Sequence, residues 1–251
     1  KGMKGHVQPN HQMTPDTIGY MASYLIGKFF AGETKLSVLD PAVGTGNLLS
    51  TILNRHGMLI TQAFGVDVDD LLIKLAYTGA NLQRQSTQFY NQDALDPLFI
   101  DPVDAVVCDL PVGYYPNDIR AADYALKNDS GHSFAHHLFI EQGIKHTKPG
   151  GYLLFLIPNN LFESAESQKL HEYLKDTVHI QGVLQLPLSL FKNEKAAKSI
   201  FILQKKKPGL DAPKEVLLAV LPKLSNREAL DKMIADMEKW FQENKEGTLQ
   251  A

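Results

Sequence analysis

A chain of 251 residues with 44% apolar side chains can bury one large core, or a core with an appendage. Its formal charge of −3, with basic clusters only at 192–198 and Lys205-Lys206-Lys207, argues against gripping a long nucleic acid by charge alone. The single cysteine, Cys108, excludes an internal disulfide or a thiolate metal cluster; with no membrane-length apolar run and no leader-like block, the default location is the cytoplasm.

Thr14-Pro15-Asp16 reads as a helix start: Thr14 caps, Pro15 suits the first helical position, and Asp16 favours the positive helix end. Ile18, Met21, Leu25 and Phe29 follow at helical spacing. A short apolar strand over 36–39 ends at Asp40 and enters the turn Asp40-Pro41-Ala42-Val43-Gly44-Thr45-Gly46-Asn47, after which 48–54 continue as helix. The unit recurs with a strand at 63–66 ending at Asp67 and a helix over 70–80. A β-prone run at 87–90 ends near Asp93, and a strand at 103–108, which places Cys108 in the core, ends at Asp109. Beyond a long loop come a helix over 134–146, a turn at 148–151 and a strand at 152–157 reaching Pro158-Asn159-Asn160. A helix over 164–175 leads to two final strands at 180–186 and 199–204.

Alternating apolar strands and helices predict an α/β fold with a mainly parallel sheet covered on both faces. The last two strands leave no room for a helix between them and are expected to pair antiparallel at an edge. After Lys207-Pro208-Gly209, a strand at 215–221 and an amphipathic helix over 226–244 carry an Ile234, Met237, Trp240, Phe241 stripe suited to docking on the sheet or on a partner. The expected organisation is a domain over 1–207, opened by an N-terminal segment at 1–13, and an appendage over 208–251. Starting at Lys1 with a loop-like stretch at 2–10, the chain reads as a fragment or processed product, so an upstream domain stays in view.

Asp40, Asp67, Asp93 and Asp109 fall at or near the ends of four successive strands, the rim where open α/β sheets bind ligands. One such Asp is usually a helix cap; four in order beside a glycine turn are not explained that way. Gly44 and Gly46 allow close backbone approach, but the third-glycine position of a dinucleotide fingerprint holds Leu49. Asp40 would repel a pyrophosphate and suits a cationic group, while Asp67 is placed to accept from ribose hydroxyls. The rim calls for a nucleoside with a positive centre and no phosphates, which S-adenosylmethionine (SAM) satisfies and NAD does not.

These motifs resemble, over roughly residues 8 to 206, the class I SAM-dependent methyltransferases, and within them N6-adenine DNA methylases similar to type I restriction–modification modification subunits. Gln12-Met13-Thr14-Pro15 is similar to the family's Thr-Pro motif, residues 40–49 to its Asp-Pro-x-x-Gly-x-Gly-x-Leu-Leu motif, and Gly65-Val66-Asp67 to its ribose motif. Asn91-Gln92-Asp93-Ala94-Leu95 resembles the segment whose Asp contacts the SAM adenine; Lys148-Pro149-Gly150-Gly151 through Pro158-Asn159, and Leu186-Pro187 with Phe191, also recur. The resemblance implies a Rossmann-like, seven-stranded, mainly parallel sheet with an antiparallel edge strand. It implies SAM held by Thr14, Pro15, Asp40, Pro41, Gly44, Gly46, Asn47, Asp67, Asp93 and Asp109, no metal, and DNA as partner. Target recognition would come from a protein partner or an N-terminal domain.

The chain departs from the family at the catalytic motif, Asn/Asp/Ser-Pro-Pro-aromatic, which reads Asp109-Leu110-Pro111-Val112-Gly113-Tyr114-Tyr115. Asp109 and Pro111 are kept, and Asp109 is expected to accept a hydrogen from the target amine. Val112 cannot stack on a flipped base as an aromatic ring does. Tyr114, the catalytic candidate, or Tyr115 is free to restore that stacking; both are equally readable as plain loop aromatics or as part of another substrate's pocket. The loop from Asp109 to Gly131 has the length of a lid, and His132, His136 and His137 read as solvent- or lid-facing imidazoles rather than metal ligands. Asn159-Asn160 reads equally as a substrate contact or a turn. Three functions remain open: adenine-N6 DNA methylation, a SAM-binding module without catalysis, and methylation of RNA, protein or a small molecule.

Overall fold

A computed structural model describes residues 14–164, 166–223 and 226–245. The loop-like stretch at 2–10 and Gln12-Met13 of the Thr-Pro motif lie outside the described residues. The chain divides into two compact units, one reaching to Lys148 and one beginning at Pro149.

The first unit begins with α1 (Asp16–Phe29), β1 (Leu36–Asp40), α2 (Asn47–His56), β2 (Ile60–Asp67), α3 (Asp70–Leu82), β3 (Gln88–Asn91) and β4 (Val103–Asp109). A four-residue helix, α4 (Asp118–Ala121), and then α5 (Ala135–Lys145) follow. The strands lie in the order β3-β2-β1-β4, every neighbour parallel. Every residue of β1 is buried, as expected of a parallel strand covered on both faces. Val38, Leu39, Ala105, Val106, Val107 and Cys108 form the floor of this core. Polar groups at its lower edge are satisfied: Ser37 donates to Asp104 from both its backbone N (2.8 Å) and its hydroxyl (2.7 Å), and Lys148 pairs with the same carboxylate. These donors hold the Asp104 carboxyl below its ordinary value despite the desolvation of partial burial.

β5 (Thr147–Pro158) begins in the last two residues of the first unit and belongs otherwise to the second, which also contains α6 (Ser167–Thr177), β6 (Val178–Gln185), β7 (Lys198–Lys205), β8 (Leu217–Val220) and α7 (Arg227–Lys245). β7 runs antiparallel to both β5 and β6, as the missing helix between β6 and β7 requires. β8 then pairs in parallel with β6, beyond that antiparallel pair. The expected turn at 148–151 is instead the opening of β5, with Gly150 at φ +84°. On α7 the buried face is Met233, Met237 and Phe241, while Trp240 Nε1 donates to the Glu215 carbonyl at 2.7 Å. Among the described residues no helix is long and apolar enough to cross a membrane.

Candidate active site

The glycine turn leaves the end of β1 and is stitched to β2. Val43 N donates to the Val66 carbonyl at 2.9 Å, and Gly46 N to the Val43 carbonyl at 2.8 Å. Gly44 and Gly46 take φ of +55° and +81°, left-handed values that cost a side-chain-bearing residue ~1–2 kcal/mol. A Cβ on Gly46 would also stand 3.2 Å from the Ala76 Cβ, because the start of α2 crowds α3. A Cβ on Gly44 would meet nothing within 4 Å, so this glycine borders open space. No side chain caps α2, which leaves the positive helix end directed at the turn uncompensated by an Asp or Ser cap.

Three carboxylates surround the turn. Asp40 is 1% exposed and accepts from Ala42 N. Burial pushes its carboxyl up to about 8, with repulsion from Asp109 and Asp67 adding to the rise. Asp67 knits the turn to β2, accepting from Gly44 N at 2.8 Å through Oδ2 and from Asp69 N at 2.9 Å through Oδ1. Asp109, at the end of β4, accepts at Oδ2 from the Thr14 hydroxyl, 2.9 Å away. Thr14 therefore does not cap α1: Pro15 occupies the cap position, and the hydroxyl is drawn across to β4 instead. Asn47 Nδ2 uses its two hydrogens on the Thr14 carbonyl and on Asp16 Oδ1, so its amide fastens the Thr14 segment to the start of α2.

The fourth strand-end acid, Asp93, accepts from Leu95 N at 2.9 Å and from the Tyr115 hydroxyl at 2.6 Å. This corrects the picture of Tyr115 as a loose loop aromatic: it is 5% exposed, and burial plus the adjacent Asp93 push its phenol upward, so the proton stays on oxygen. Tyr114, by contrast, is 64% exposed. Its ring stacks on Phe134 with centroids 4.9 Å apart and planes 15° from parallel. Leu110 is buried, Pro111 half-buried, and Val112 41% exposed.

The segment 110–133 is not an unstructured lid. It contains α4, is bridged to the start of α5 by Tyr114 and Phe134, and is pinned by Tyr124, whose hydroxyl donates to the Leu95 carbonyl at 2.8 Å. The histidine expectation is corrected too. His136 and His137 are buried, because α5 packs almost its whole circumference into the protein; only His132 is exposed, pairing with Asp118 at 2.9 Å. Burial and the neighbouring His137 push His136 down to about 4, so its imidazole is neutral. Among the described residues no group of three His, Cys, Asp or Glu side chains is placed to hold a metal ion. In the second unit, Asn159 Oδ1 accepts from the Ser199 hydroxyl at 2.8 Å, a structural commitment. Phe134, stacked on Tyr114 at the start of α5, carries no local signal in the sequence that would mark it as part of the site.

A glycine turn with a buried acid before it and a further acid at the end of the next strand, on such a sheet, matches the fold of class I SAM-dependent methyltransferases. The chain matches the N-6 DNA Methylase family model over residues 11–250 and belongs to that family. It is 57% identical over 245 residues to the uncharacterized protein YtxK of Bacillus subtilis (strain 168), covering 98% of this chain and 74% of that protein. The crystal structure of a proposed class I SAM-dependent methyltransferase from Listeria monocytogenes superposes with a TM-score of 0.89 at 49% identity, covering 96% of this chain and 75% of that one. The modification subunit of a proposed type I restriction enzyme from Vibrio vulnificus YJ016 shares the fold, with a TM-score of 0.71 at 16% identity over 96% of this chain and 54% of its own.

Proposed function

We propose that this chain transfers the methyl group of SAM to an exocyclic amino nitrogen, with N6 of adenine in DNA as the acceptor. The observation that carries the reading is Asp109, held at the end of β4 by the Thr14 hydroxyl beside the glycine turn. The residues present fit the cofactor: open space borders Gly44, and acidic side chains suit a ligand of net positive charge. Gly44, Gly46, Thr14, Pro15 and Pro41 would shape its cradle, Asp67 would accept from ribose hydroxyls, and Asp93 from the adenine. Asp40 would answer its positive charge, and Asn47 would hold the Thr14 edge in place. When bound, SAM supplies an electrophilic methyl group on a sulfonium.

The chain's own residues do the positioning. Asp109 accepts one hydrogen of the acceptor amine, and the carbonyl ahead of Pro111 accepts the other, which leaves the nitrogen lone pair directed outward. Pro111 stiffens that carbonyl by fixing its own φ. No strong base is needed, since the rate comes from alignment. The nitrogen–methyl bond forms as the sulfur–methyl bond breaks to leave a neutral thioether, and the nitrogen's surplus proton, by then acidic, passes to solvent. Tyr114, stacked on Phe134 and largely exposed, takes over the stacking that Val112 cannot provide. With a formal charge of −3, the grip on DNA would come from a protein partner or a recognition domain.

The exposed Val112 favours a second reading, a SAM-binding module that has lost transfer or takes another acceptor. Tritium transfer from labelled SAM to DNA, RNA and total protein separates the two. Label in DNA that Asp109→Ala abolishes, with calorimetric SAM binding retained, supports the proposal. Label only in RNA or protein moves the acceptor, and SAM binding without transfer favours the second reading.

A further inference from the structure

Four consecutive residues after β3 are each gripped by the segment that follows the Asp109 motif. Asp93 receives the Tyr115 hydroxyl at 2.6 Å, and the Ala94 carbonyl receives Gln142 Nε2. The Leu95 carbonyl receives the Tyr124 hydroxyl at 2.8 Å, and Asp96 pairs with Arg120 Nε at 2.7 Å. Three of these contacts hold backbone or an outer carboxylate; of the four, Tyr115 alone acts on the Asp93 side chain, beside the local bond from Leu95 N.

We infer that Tyr115 is a positioning residue for cofactor binding, its hydroxyl fixing the Asp93 carboxylate and joining the acceptor-side segment to the cofactor side of the site. The inference rests on the reading of Asp93 as a cofactor contact. The turn does not need this hydroxyl to keep its shape, because Gln142, Tyr124 and the Leu95 N bond already hold its backbone. Packing does not need it either, since a phenylalanine ring would fill the same buried space. What the hydroxyl adds is direction. It occupies one lone pair of Oδ2 while Leu95 N occupies one of Oδ1, and each oxygen keeps another for a ligand donor.

The link also runs toward the acceptor side. Tyr115 N donates to the Ser133 carbonyl at 2.8 Å and Ala135 N to the Gly113 carbonyl at 2.9 Å, which zips Tyr115 to the strand-like pair that carries the Tyr114–Phe134 stack. Asp93 is thereby joined through the Tyr115 side chain to the pair that carries the stacking platform.

Calorimetric titration with SAM of wild type, Tyr115→Phe, Asp93→Asn, the double variant and Tyr124→Phe tests this, with a melting curve for each. Tyr115→Phe should weaken SAM about tenfold, as loss of a hydrogen bond to a charged group does, with a melting loss no larger than that of Tyr124→Phe. The double variant should bind no more weakly than Asp93→Asn alone, because the hydroxyl acts only through that carboxylate. Tyr124→Phe, which removes a purely structural hydroxyl nearby, should lower melting while SAM affinity stays near wild type. Wild-type affinity in Tyr115→Phe, an added loss in the double variant, or an equal loss in Tyr124→Phe overturns the inference. Undiminished affinity in Asp93→Asn instead removes Asp93 from the cofactor site.

Discussion

The Thr14 hydroxyl donates to Asp109 Oδ2 across 2.9 Å, joining residues 95 positions apart. One lies just ahead of α1 and the other ends β4, so the entry to the fold and the candidate catalytic acid are held as one piece. Asn47 closes the arrangement from α2 by donating to the Thr14 carbonyl. A hydroxyl that would ordinarily cap its own helix is used to aim a carboxylate.

Thr14→Val keeps the shape of the side chain and removes that donor. Methyl transfer should fall about tenfold in kcat, in keeping with a hydrogen bond to a charged group, while Asp109 stays in place. Steady-state kinetics with a DNA acceptor reads this. An unchanged kcat would mean that Asp109 does not depend on the Thr14 hydroxyl.

The two turn glycines should fail differently. Gly46→Ala forces a left-handed alanine and brings its Cβ to 3.2 Å from Ala76, so both folding stability and SAM affinity should drop, the first by more than the ~1–2 kcal/mol backbone cost. Gly44→Ala carries the backbone term alone, and its methyl enters the open space where the ligand is expected. SAM binding should then be lost with a milder loss of stability. Melting curves and calorimetry on both variants separate the effects.

Asp40 should make the ligand-free protein less stable as pH rises. Its folded carboxyl sits at about 8 against an ordinary 3.8. Between those values the folded state holds a proton that the unfolded state has released, so unfolding stability declines with pH across the window. Asp40→Asn keeps an acceptor for Ala42 N and carries no charge. Its melting-temperature advantage over wild type should be small near pH 4 and grow to about pH 8. A constant difference across that range would show that Asp40 is already ionised. SAM, being cationic, should bind wild type more tightly as pH rises, and Asp40→Asn should flatten that dependence.

Tyr114→Ala should raise the acceptor KM with SAM affinity unchanged. Base–aromatic stacking contributes about 1–3 kcal/mol, which corresponds to roughly a tenfold to hundredfold effect. Phenylalanine at this position should restore wild-type KM, because the ring rather than the hydroxyl does the stacking. If Tyr114→Ala leaves KM alone, the platform lies elsewhere.

The amino-acid sequence by itself determined the order of the main strands and helices, the acid at or near the ends of four successive strands, and the glycine turn with its excluded third glycine. These are local properties: period-two and period-3.6 patterning, and left-handed φ values that only Gly44 and Gly46 supply without strain. The expectation of cofactor class followed because the acidic residue at Asp40 and the absence of a glycine at Leu49 are read residue by residue. Tertiary structure alone decided which side chains meet. Nothing in the neighbourhood of Thr14 announces Asp109, and nothing around Tyr115 announces Asp93, 22 positions earlier. His136 and His137 sit at a polar-looking helix start, yet they are buried because α5 is enclosed on nearly all sides. Parallel β-topology brings strand ends together from distant points in the chain. The partners of each carboxylate are therefore set by how the elements pack, a non-local outcome that periodicity and turn chemistry do not encode.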